Sequence, residues 1–251
     1  MNVLLFLQNM IVDIIIGFRN VILWGIPLCF IINTLIIICF VIKAAIENNI
    51  SILEVIHRCK EALCDSRAFY RNEKAHALIL IFQYELSIDK INANSAIPGI
   101  VLVKPKWIDF LAKKEPDWRL AFLHTMGHEL GHKRKEPAPL RDKTEKARFT
   151  NWVRECRADF FGIEFVLRNV KKAKQPIKRK DIIEAVKLKA KEYTKNGDHS
   201  DLYRQPYWHI RCDLVEHIPQ FNKKVIEKIA ELSGFDDDSY IFELADSAIN
   251  F

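Results

Sequence analysis

The sequence has no CxxC pair, and its six cysteines (Cys29, Cys39, Cys59, Cys64, Cys156 and Cys212) form no dense framework. For a chain of 251 residues this disfavours a disulfide scaffold and favours a reducing compartment. There is no internal repeat and no low-complexity tract. No stripe interleaves aromatic and basic side chains, so no nucleic-acid partner is expected. The charge excess is small, +6, and is compatible with a domain held beside an acidic membrane surface. With 49% apolar and 28% charged residues the chain is not of disordered composition. Its length suits one sizeable domain plus an appendage.

Charge is missing altogether from residues 21–42, VILWGIPLCFIINTLIIICFVI. About 20 apolar residues cross a bilayer as a helix, and Pro27 and Asn33 are tolerable in one. The run before it is also apolar but carries Gln8, Asn9 and Asp13, and only residues 17–20 separate the two. One spanning helix at 21–43 is therefore expected, with the first segment interfacial or a second, weaker span. No Lys or Arg precedes Arg19, and apolar content continues for about 40 residues, which does not suit a cleaved signal peptide. Only Arg19 lies before the span, whereas Lys43, Arg58 and Lys60 follow it. This places the rest of the chain in the cytoplasm behind a single-pass anchor.

Beyond this membrane segment (1–45) the pattern predicts connecting helices over 46–75 and one domain over 76–251. AHALILIF (75–82) reads as a buried strand or helix, and SAIPGIVLV (95–103) as a strand whose Pro98 favours a sheet edge. Helical patterns follow at 106–114, at 118–134 with Asp117 as N-cap, and at 144–170 with Thr144 as N-cap. KKAKQPIKRK (171–180) reads as a solvated basic linker. Asp181 is expected to cap a helix ending near Asn196-Gly197. Further helices are expected at 207–217, 220–233 and 239–249. The predicted fold class is mainly α with a small β-sheet (α+β).

The chemistry is concentrated in His128-Glu129-Leu130-Gly131-His132, an HExxH motif. On a helix, positions i and i+4 share a face, so two imidazoles can converge on one zinc ion. Glu129 sits at the adjacent edge, placed to take a proton from a metal-bound water as general base. By composition such a motif arises by chance about once in sixty chains like this one, so further evidence is needed. It comes from Arg154-Glu155-Cys156-Arg157-Ala158-Asp159 on the next long helix. Catalytic zinc takes three protein ligands and leaves one position open. Glu155 can be the third, and Asp159, one turn on, can accept from the outer nitrogen of a ligand histidine. Ala158 is small and lets the two helices approach. His124 precedes His128 by one turn, but it lies about 12 Å from His132 along the axis, too far to share one ion. It reads as a packed histidine. Cys156 and Cys212 read as small apolar fillers.

HELGH followed about 20 residues later by ExxAD resembles the gluzincin metallopeptidases, specifically the HtpX, Oma and CAAX-prenyl-protease group. The preceding SAIPGIVLVKPKWIDFLAKKEPDWRLAFLHTMGHELGH is similar to that family's edge strand, connecting helix and motif helix. The resemblance covers roughly residues 90–215. It implies a zincin-like domain, one zinc per chain on His128, His132 and Glu155, and substrate backbone bound by strand addition. The family often has a His-Pro pair followed by an Arg five residues after the Pro. Here Pro206 and Arg211 keep that spacing, and Gln205 replaces the His. Arg211 can orient the site or the substrate. His199, Tyr203, Tyr207 and His209 are candidates for stabilising an oxyanion.

Two functional readings follow. The first is a membrane-anchored zinc endopeptidase acting on a protein or peptide at the membrane. The second is a regulatory zinc-binding protein, or a peptidase of the immunity-repressor type, with little general turnover. An intact Glu129 favours the first, since binding zinc alone needs no base there.

Overall fold

The computed structural model describes residues 26–72, 78–80, 93–97, 100–113, 116–132, 139–169, 176–195, 197–198 and 200–249. Its first helix, α1, runs Ile26–Glu47, and α2 runs Ile52–Asn72. Three short strands follow: β1 (Leu78–Leu80), β2 (Ala93–Ile97) and β3 (Ile100–Val103). The remaining helices are α3 (Trp107–Leu111), α4 (Pro116–Gly131), α5 (Glu145–Asn169), α6 (Arg179–Tyr193), α7 (Trp208–His217), α8 (Lys223–Ser233) and α9 (Asp238–Ile249).

The expected α+β class is corrected, because about 75% of the described residues are helical. The strands hold the order β1-β3-β2, with β1 parallel and β2 antiparallel to β3. At three to five residues each they cover little of the helical body, and β2 packs against α4. They form an attachment that lends Val101 and Val103 to the core. The segment 95–103 is not one edge strand: its second half is β3, the central strand, and only its first half belongs to β2, at the edge.

The expected spanning helix is corrected too. Among the described residues no single helix is long and apolar enough to cross a membrane; residues 21–25 of the expected span lie outside them. The C-terminal end of α1 is joined to the folded body. Ala44 and Ala45 pack against Val55, Ile108 and Ala112, and Lys43 Nζ donates to Asp109 Oδ2 at 3.2 Å. This end of the apolar run is thus built into the folded body. The chain then turns through Asn49 at φ 50° and enters α2, and the Ile31–Glu47 and Ile52–Ala68 segments are bent by 113°.

The helix ends follow local chemistry. Thr144 Oγ1 accepts from Ala147 N at 3.1 Å, as an N-cap does. Asn222 caps α8 through Lys224 N and Val225 N, and Gly234, at φ 71°, closes it in the left-handed region. Two expected caps fall elsewhere. Pro116 opens α4, so Asp117 lies in its first turn. Asp181 lies inside α6 and accepts from Lys178 N at 2.8 Å.

The main core gathers around α4 and α5. Ala121, Phe122, Leu123 and Met126 meet Phe149, Val153, Phe160 and Ile163, and Ile182, Val225, Ile226, Ile229 and Leu244 close over them. Each fully buried Ile or Phe contributes roughly 2 kcal/mol. The α4–α5 crossing is close because glycines line it. A Cβ on Gly127 would come within 2.7 Å of Phe165 Cδ1, one on Gly131 within 3.1 Å of Ala158 Cα, and one on Gly162 within 2.9 Å of the His124 carbonyl oxygen.

Candidate metal centre

That close crossing sets Glu155 of α5 opposite the two histidines of α4. His128 Nε2 and His132 Nε2 stand 3.1 Å apart; His128 Nε2 is 3.5 Å from Glu155 Oε2 and His132 Nε2 is 3.5 Å from Glu155 Oε1. The three ligand atoms lie within 4.8 Å of one another. Around a tetrahedral ion with Zn–N and Zn–O bonds of about 2.05 Å, ligand atoms stand about 3.3 Å apart. The 3.1 Å and 3.5 Å separations lie near that value, so the three side chains can close on one ion. Two imidazole nitrogens aimed at each other also need a cation or proton between them, or their lone pairs repel.

The outer face of His128 is fixed by Asp159. Its Nδ1 lies 2.9 Å from Asp159 Oδ1, so an Nδ1–H donated there leaves Nε2 free as a ligand. Asp159 is in turn gripped by Arg211 of α7, from Nε to Oδ2 and from Nη2 to Oδ1, each at 2.7 Å. Arg211 Nη1 also lies 3.6 Å from Glu155 Oε2. Three ties hold the first residue of Arg211's helix and the segment before it. Trp208 N donates to Asp198 Oδ2 at 2.7 Å, Trp152 Nε1 donates to the Leu202 carbonyl, and Asn151 Nδ2 to that of Tyr203.

The electrostatics match this geometry. Burial pushes Asp159 up, but Arg211 and His128 outweigh it and hold the carboxyl well below its usual range. Burial likewise opposes ionisation of Glu155, and His132, His128 and Arg211 overcome it, bringing its pKa to about 2. Burial lowers His128, yet Asp159 and Glu155 raise it to about 9. The proton is then the cation that the carboxylates hold. Burial pushes the Cys212 thiol up to about 11 and that of Cys156 well above its ordinary value, and neither sulfur belongs to the group of converging ligand atoms.

Of the sequence-predicted residues, the structure brings together His128, His132, Glu155, Asp159 and Arg211. Glu129, 8% exposed, lies on the same helix beside them. His124 is fully buried and donates from Nε2 to the Asp159 carbonyl oxygen at 3.1 Å, away from the ligand set. His209 is exposed and stacks on Tyr207; no described contact ties it to the ligands. His199 lies outside the described residues. Sequence reasoning missed Gly127, Gly131 and Gly162, although small residues at spacings of four on neighbouring helices are a legible signal of close approach. It also missed Lys189, a cation within the apolar stripe Ile182, Ile183, Ala185, Val186 of α6.

No family model, curated protein or solved structure matches the chain.

Proposed function

We propose that the chain is a zinc-dependent endopeptidase of the HtpX, Oma and CAAX-prenyl-protease type, hydrolysing protein or peptide substrate beside a membrane. The observation that carries the reading is the convergence of His128, His132 and Glu155, with ligand atoms within 4.8 Å of one another, and with Glu129 on the adjoining edge of the same helix. Zinc held by these three residues would supply a Lewis acid and a water of lowered pKa. Glu129 takes the proton of the attacking water on its carboxylate and returns it to the leaving amine nitrogen. Asp159 keeps the His128 proton on Nδ1, and Arg211 keeps Asp159 ionised. Arg211 is committed to these carboxylates, so its part is positional. The membrane as partner is supported by an exposed apolar row at helical spacing on α1, namely Ile31, Leu35, Ile38, Ile42 and Ile46.

The test is zinc per chain and cleavage of casein by the purified full chain. One zinc per wild-type chain, lost in Glu155→Ala, together with cleavage abolished in Glu129→Gln at unchanged zinc content, is the expected result. Absence of zinc from the folded wild type would refute the metal centre. Zinc retained with no cleavage of any protein substrate would favour the regulatory zinc-binding reading.

A further inference from the structure

A buried cation beside the metal centre has no part in the chemistry above. Lys189 is 6% exposed and occupies the α6 stripe that packs against α4. A charge in that position is costly unless something compensates it. Its Nζ donates to Thr125 Oγ1 at 3.0 Å, and Thr125 donates in turn to the Ala121 carbonyl at 2.8 Å. The same Nζ stands 4.9 Å from the centroid of the Trp208 ring, which also carries Arg211 at 4.2 Å. These contacts are with a neutral hydroxyl and an aromatic face, and neither cancels the charge. Of the carboxylates whose charge acts on Lys189, Asp159 is paired with Arg211, and Glu129 has no ion pair among the described residues. It lies four residues after Thr125, one turn along α4 on the same face, and it is itself buried. Its charge acts on Lys189 together with that of Asp159, which Arg211 already neutralises.

We propose that Lys189 is a positioning residue for Glu129: its ammonium, fixed by Thr125 and Trp208, draws the Glu129 carboxylate to the α6 side of α4 and compensates its charge. The catalytic consequence rests on the peptidase reading, whereas the pairing itself does not. Without Lys189 the carboxylate has a wider choice of rotamers and stands less often where a water proton can be taken.

The pairing is tested in the metal-free full chain at pH 7 by a thermal-unfolding cycle over wild type, Lys189→Met, Glu129→Gln and the double variant. Glu129→Gln is expected to lower the midpoint when Lys189 is present and to leave it unchanged in the Lys189→Met background. Additive shifts would overturn the proposal. Should Lys189→Met fail to fold, Lys189→Gln takes its place in the cycle. In the zinc-loaded chain with casein as substrate, Lys189→Met should lose about tenfold or more in kcat, with KM and bound zinc unchanged, and Lys189→Arg should recover most of the loss. Equal kcat in wild type and Lys189→Met would overturn the positioning role. If wild type cleaves nothing, the peptidase reading fails, and the unfolding cycle alone still decides whether Lys189 and Glu129 are coupled.

Discussion

Arg211 holds Asp159 in a two-pronged grip, Nε to Oδ2 and Nη2 to Oδ1 at 2.7 Å each, with both side chains almost fully buried. The carboxylate thus gripped is the one that orients His128. Planar guanidinium and carboxylate groups match one another in this arrangement, and lysine could not reproduce it.

Breaking that grip should be felt twice. Asp159→Asn leaves the Arg211 charge buried without its partner, which costs about 3–5 kcal/mol. It also loosens the His128 ring, and removing such an outer partner typically costs about 10–100-fold in metal affinity. Urea denaturation of the metal-free chain and zinc competition against a chelator would measure the two effects. Unchanged zinc affinity would show that Asp159 does not orient the ligand.

Protons and metal should compete at His128. In the metal-free chain burial lowers this imidazole, but Asp159 and Glu155 raise it to about 9. A histidine with a raised folded pKa adds stability that is fully present below its unfolded value of about 6.5 and is lost as pH rises through 9. The midpoint of the metal-free chain should therefore fall over that window. Zinc must displace the same proton, so its apparent affinity should rise about tenfold per pH unit towards pH 9 and then level off. A flat zinc affinity between pH 7 and 9 would contradict the assignment.

The glycine seam offers a steric test. Gly162→Ala puts a methyl group 2.9 Å from the His124 carbonyl oxygen, so α4 and α5 must separate. A destabilisation of about 1–3 kcal/mol is expected, with weakened zinc binding because Glu155 retreats from the histidines. Gly234→Ala makes the contrast. Its φ of 71° is strained for alanine, but the nearest atom is Arg148 Nη2 at 3.7 Å. It should cost about 1 kcal/mol and leave zinc binding intact. Equal zinc affinity in both variants would mean that the close crossing does not set the ligand geometry.

Lys189 should show its cost in a pH titration. Burial, and then Arg211, lower its pKa from 10.5 to about 8. Between those values the unfolded chain binds the proton that the folded chain has released, so stability rises with pH across the window. Below pH 8 the folded state carries the full penalty, on the order of 3 kcal/mol. Lys189→Met should therefore be more stable than wild type at pH 7, with an advantage that fades between pH 8 and 10.5. A lysine retained at such a position is consistent with a role that a neutral side chain cannot fill.

The sequence alone determined the parts of the site that sit on one helix or repeat along it. His128, Glu129 and His132 share a face because 3.6 residues make a turn, and Glu155 and Asp159 share one for the same reason. Most helices were legible too, since apolar spacing and the Thr144 cap are local signals. Class and span were not. The run at 95–103 has strand-forming residues, yet how long a strand becomes depends on partners elsewhere in the chain. The apolar run at 21–42 has the composition of a membrane helix, yet only the folded body shows Lys43 bound to Asp109 and Ala44 and Ala45 packed on α2 and α3. Tertiary structure likewise decided that Asp159 serves His128 while His124 turns to a backbone carbonyl, that Arg211 spends its fork on Asp159, and that Lys189 is buried against Thr125 and Trp208. Each of these is a contact between helices, and those between α4 and α5 are set by how closely Gly127, Gly131, Ala158 and Gly162 let two backbones approach. Spacing along the chain carries no record of that distance.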